Sequence, residues 1–171
     1  GWLLFFSGLT SSLSYSQPQL PQNESICWWS FDNDSENTVL DETGQKKDSV
    51  SGNIEYVPGV RGKAVKLDGF GAYIRRNNNN SNRPDGAFTV EGWVALASYP
   101  WSWCPMVDCS YPEIRGFFLG IDRQGHVGVK VAAGSSWYET ATIKKIPLRS
   151  WAHVAMVFEP DKKVTLYING Q

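Results

Sequence analysis

The chain has 171 residues, 42% of them hydrophobic and 13% aromatic with eight Trp, and its 16 Lys+Arg nearly balance 17 Asp+Glu. One domain with a proper core fits that length, and that much rigid apolar mass excludes disorder over most of it. The absence of a basic excess argues against nucleic acid or an anionic membrane as the main partner.

Residues 1–16 open with the apolar run GWLLFFSGL, too short to span a bilayer, and close with small residues. Ser14 and Ser16 stand three and one before a cut ahead of Gln17, the pattern of a secretory signal peptide clipped at its front. The alternative for this run is an N-terminal strand. Residues 17–25 read as a linker and 26–171 as the folded domain, in a secreted or cell-surface protein with no later membrane anchor.

Eleven strand-like segments follow in chain order: 26–31, 53–57, 64–68, 72–76, 88–96, 105–109, 116–121, 126–133, 137–143, 151–158 and 163–168. Gly, Pro, Asn and Asp separate them, with hairpin turns expected at DRQG (122–125) and PDKK (160–163). NNNNSNRPDG (77–86) is a polar, biased loop. No segment carries a long 3.6-residue apolar period. The fold class is all-β: a two-sheet antiparallel β-sandwich of the jelly-roll kind. Asn169-Gly170 is a strong hairpin signal with only Gln171 after it, so the jelly roll is expected to be truncated before its last strands. A missing strand burying about three apolar side chains would cost about 5–9 kcal/mol and leave 163–168 as an open edge.

Cys104 and Cys109 lie on a segment read as extended, which would hold them roughly 16 Å apart, beyond disulfide reach. With Cys27 they are either small core residues or include one long-range bridge, and three thiols so spaced make a poor zinc site.

The blocks CWWSFDNDSENTVLDETGQ, YVPGVRGKAVKLDGFGAYI, FTVEGWV and WAHVAMVFEPDKKVTLYINGQ together resemble the laminin-G-like jelly roll of the concanavalin A-like lectin and glucanase superfamily. The likeness runs from Ile26 to Gln171. It implies two packed antiparallel sheets, usually closed by strands beyond the YING position.

Glucanases of that superfamily carry a Glu-x-Asp-x-Glu strand, which sets two carboxylates at the separation retention requires. No such triplet exists here; Asp108 and Glu113 are separated by four residues. His126 shows no acid or nucleophile beside it in sequence, and His153, on an apolar strand, reads as a hydrogen-bonded structural histidine. No catalytic motif marks this segment.

Laminin-G-like domains often bind calcium at the sandwich rim. Asp32, Asp34 and Asp41, with Glu36, supply hard oxygens for Ca²⁺, although an EF-hand spacing is absent and Ala72 stands where relatives carry an acid. The solvated acidic loop is the alternative.

SYPWSWCP (98–105) carries the other candidate site. Extended, it would present Tyr99, Trp101 and Trp103 on one side, with Trp137 and Tyr138 as a second cluster. Flat aromatic faces suit sugar rings, with Asp108, Glu113 and Arg115 for the hydroxyls. Capping the core or contacting another domain are the competing uses. The expected role is a noncatalytic module that binds a polysaccharide or oligosaccharide, or braces a downstream catalytic domain in the same chain. GFFLGIDRQGHVGVKVA resembles modules preceding fructan-cleaving glycoside hydrolases. The alternatives are an adhesion or protein-interaction module, and an enzyme whose carboxylates lie beyond Gln171.

Overall fold

The structure, a computed structural model, describes residues 27–33, 37–76, 86–111 and 115–171, and the backbone of 5–7. It contains thirteen strands: β1 (Phe5–Ser7), β2 (Thr38–Asp41), β3 (Lys46–Ser51), β4 (Ile54–Pro58), β5 (Lys63–Leu67), β6 (Tyr73–Arg75), β7 (Phe88–Ala95), β8 (Cys104–Asp108), β9 (Phe117–Ile121), β10 (His126–Ala133), β11 (Ser136–Lys145), β12 (Trp151–Glu159) and β13 (Lys163–Ile168). No helix occurs among the described residues, so none there is long and apolar enough to cross a membrane.

Every ladder is antiparallel, in four sheets of order β1-β5-β4, β2-β3-β6, β11-β10-β9-β8 and β13-β12-β7. Strict alternation along β9, β10 and β12 explains how they stack. Phe117, Leu119, Ile121, Val127, Val129 and Val131 turn one way and meet Val94, Ala152, Val154 and Met156 from β7 and β12. A smaller core of Phe31, Val39 and Val65 joins β2-β3-β6 to β4 and β5, and Leu67 packs against both cores. The all-β sandwich expected from the sequence is the observed fold.

Of the segment read as leader, the backbone of Phe5–Ser7 forms β1, paired with Ala64–Lys66 of β5 and running beside β7. The rest of that expectation lies outside the described residues.

Two departures from the sequence reading are local. The segment 26–31, expected as a strand, contributes one isolated bridge, Trp29 to Asp41. The polar run 38–51, not among the expected strands, is the β2–β3 hairpin, whose Asp41 and Asp48 are buried.

Hairpin turns form at 122–125 and 160–163, with Gly125 and Asp161 at positive φ. Asn169 and Gly170, at φ 52° and 75°, make a two-residue turn in which Ile168 and Gln171 exchange both backbone hydrogen bonds, at 3.0 and 3.2 Å. Among the described residues β13 stands at the end of its sheet. So does β11, whose pairing with β10 is broken by a bulge between His126 and Gly128. There Thr142 Oγ1 accepts the Val127 N–H at 3.1 Å and donates to Lys144 O at 2.7 Å. Cys104 lies on β8, and all three cysteines are free thiols.

Candidate functional site

The loop between β7 and β8 is bent, not extended, so its aromatics part company. Tyr99 packs on the main core, fills the space above Gly125, and donates its hydroxyl to Ile146 O at 2.9 Å. It caps the core. Trp101 stands 78% exposed. Trp103, 40% exposed, lies on the outer face of the β8–β11 sheet. Its six-membered ring occupies the place a Cβ on Gly128 would take, so a residue without a side chain is required beneath it.

The pairing register identifies the neighbours of Trp103 on that face. Val127, Val129 and Val131 point inward, so Gly128, Lys130 and Ala132 point outward, together with their partners Ala141, Glu139 and Trp137. Phe118, opposite Lys130, meets Trp103 edge-on with ring centroids 5.9 Å apart at 83°. Lys130 Nζ and Glu139 Oε1 form a half-exposed ion pair. Asp108, opposite Phe118, accepts from the Ser110 N–H at 2.9 Å. From Gly128 to Ala132 the face runs roughly 13 Å. It carries an aromatic floor with charged side chains along it.

Trp137 belongs to this face, and Tyr138, 64% exposed, points to the other side because successive strand residues alternate. The two expected as one cluster are therefore separated. Arg115 bridges to Tyr111 at the end of the sheet, and Glu113 lies outside the described residues.

Asp41 and Asp32, the acidic candidates among the described residues, are engaged by the fold. Asp41 is fully buried: Oδ1 accepts from Trp28 N–H (3.1 Å), Thr43 N–H (3.1 Å) and Thr43 Oγ1 (2.7 Å), while Oδ2 lies 2.7 Å from Arg76 Nη2. Burial pushes its carboxyl up, but the bonds from Thr43, Trp28 and Arg76 outweigh that and hold it below the usual carboxylate range. Asp48 accepts from Trp29 Nε1 at 2.8 Å and lies 3.7 Å from Arg76 Nη1. Asp32 Oδ1 accepts the Lys63 N–H at 2.7 Å. Asp34 and Glu36 lie outside the described residues. A guanidinium already stands against Asp41, and no group of three metal-ligating side chains occurs among the described residues, which leave out two of the four acidic candidates. Beside this cluster, burial first and the Asp41 charge second push the Cys27 thiol up to about 12.

Both histidines have acidic neighbours. His126, which showed none in sequence, sets Nδ1 2.8 Å from Asp122 Oδ2, and the same carboxylate closes the 122–126 turn through the Gln124 and His126 N–H groups. His153 packs on Trp93, with ring centroids 5.2 Å apart, and its Nε2 is 3.7 Å from Glu91. Among the described residues each histidine is paired with one carboxylate.

A groove of about 450 Å³, with no motif in the sequence to reveal it, opens where the ends of β4 and β7 approach the start of β12. Val57, Pro58, Ala95 and Leu96 make its walls, and Trp151 and Arg149 line it beside them.

Residues 68–171, well over half of the chain, match a laminin-G family model described as the concanavalin A-like lectin/glucanases superfamily. No curated protein and no solved structure matches the chain significantly. The matched region contains β6 to β13, and with them the main core and the whole Trp103 face. The chain belongs to the concanavalin A-like lectin/glucanases superfamily.

Proposed function

We propose that this chain is a noncatalytic glycan-binding module that takes a polysaccharide or oligosaccharide along the outer face of β8–β11. The observation that carries the reading is Trp103, seated over Gly128 against Phe118 and still 40% exposed. A half-exposed indole held from beneath loses little freedom on stacking against the apolar face of a sugar ring. Lys130, Glu139 and Asp108 supply charged donors and acceptors for hydroxyl groups, and Trp137 offers a second aromatic further along. The length of the floor suits a run of sugars more than a single ring. Trp101 closes on the bound chain from the loop.

In this reading the protein is exported, and the module holds substrate near a glycoside hydrolase domain of the same chain, raising its effective concentration. A protein-interaction role is favoured by a different feature, Phe70. It is 80% exposed on a turn fixed by Asp68 Oδ1, which accepts the N–H groups of Phe70, Gly71 and Ala72.

Native gels cast with a panel of polysaccharides separate the two. Glycan binding predicts retardation of the wild type, lost in Trp103→Ala and Trp101→Ala with unchanged circular dichroism, and kept in Phe70→Ala. Wild-type migration that no polysaccharide alters would overturn the glycan reading.

A further inference from the structure

The groove at the ends of β4 and β7 is chemically unlike the Trp103 face. Its lining is mainly apolar, from Val57, Pro58, Ala95, Leu96, Ala97 and Trp151, with Ser150 and Arg149 as its polar side chains. A sugar would leave most of its hydroxyls without partners there. Arg149 is the one charged residue that lines the groove, and no carboxylate joins it. The backbone of Arg149 is tied to the end of β7: its N–H donates to Leu96 O at 2.7 Å, Leu148 bridges Leu96, and its φ is 58°. The volume, about 450 Å³, lies within the range of small-molecule sites.

An apolar trough with a single arginine in its lining complements a ligand with an apolar body and one anionic head. Arg matches a carboxylate with two parallel hydrogen bonds, and aliphatic walls match an alkyl chain. We propose that this groove is a second binding site, independent of the glycan face, for a medium-chain aliphatic carboxylate. The alkyl chain lies along Val57, Pro58 and Ala95, and the carboxylate meets Arg149.

Isothermal titration calorimetry with monomeric hexanoate, octanoate, decanoate and octanol on the full chain tests this. Affinity is expected to rise about fourfold per added methylene, and octanoate to bind at least tenfold tighter than octanol. Arg149→Asn keeps a residue that tolerates the left-handed backbone; it should bring octanoate to the level of octanol and leave octanol unchanged. Ala97→Leu, which narrows the groove, should weaken both. The proposal is overturned if octanoate and octanol bind the wild type alike, if chain length has no effect, if Arg149→Asn retains full octanoate affinity, or if no ligand binds at millimolar concentration.

Discussion

Replacing Arg76 by methionine takes away the guanidinium 2.7 Å from Asp41 Oδ2 while keeping most of the side-chain volume. The carboxylate left behind is fully buried. Breaking a buried pair by removing one partner costs about 3–5 kcal/mol, because the remaining charge has neither water nor a counter-charge. Here Oδ1 keeps its bonds from Trp28 and Thr43, so the lower end applies, about 3 kcal/mol. For a domain of this size that lowers the melting temperature by about 6–12 °C. The pH dependence distinguishes this cause from lost packing. In the wild type the Asp41 carboxyl is held below its ordinary range. Its contribution is therefore present above the unfolded value, about 4, and is lost as pH falls through the folded one. In Arg76→Met the buried carboxyl is raised instead, so its penalty is largest at neutral pH and fades as acid protonates it. Urea unfolding followed by tryptophan emission at pH 7.5 and 4.5 should show the gap between the two proteins narrowing in acid. The double variant Asp41→Asn/Arg76→Met should recover much of the loss. A gap under about 1 kcal/mol at pH 7.5, or one that does not change with pH, would refute the argument.

Tyr99→Phe removes the donor to the carbonyl of buried Ile146, and urea unfolding should record a loss of about 1 kcal/mol. Gly128→Ala puts a methyl group where the Trp103 ring lies, so the ring must lift; tryptophan emission should shift to the red and stability fall by about 1–3 kcal/mol. Cys27, its thiol pushed up to about 12, should stay unalkylated by iodoacetamide at pH 8 in the native protein and react once urea unfolds it. Labelling at a free-thiol rate without urea would contradict the half-buried placement.

The parts of the fold legible in the sequence are those whose inward positions are apolar. β9, β10 and β12 alternate around Leu119, Val129 and Val154, and the turns between their segments carry Gly or Asp. β2 and β3 escaped notice because they turn Asp41 and Asp48 inward, and a count of apolar residues cannot register a buried ion cluster completed by Arg76, which follows the neighbouring strand β6 later in the chain. The Trp103 face was half legible. Aromatic density flagged the loop, but Pro100 and Pro105 border a bent segment, so two-residue alternation did not apply between Tyr99 and Trp103. Gly128, the seat of the ring, stands 25 positions further on and looks in sequence like any other strand glycine. The groove draws on three separate stretches, around 57, 96 and 150, and has no linear signature.

The bulge in β11 bears on how the protein behaves when crowded. A ten-residue strand at a sheet margin, with Ile143 97% exposed, would otherwise template pairing with a neighbouring molecule. Thr142 breaks that template by spending its hydroxyl on the Val127 N–H and the Lys144 carbonyl, so the outward backbone groups lose the even spacing a partner strand needs. Lys144 and Lys145, immediately after Ile143, add like charges that repel a second copy of the same margin. The irregularity thus acts as a guard against fibril-like growth, allowing an apolar side chain to stand in water at the rim of the sheet.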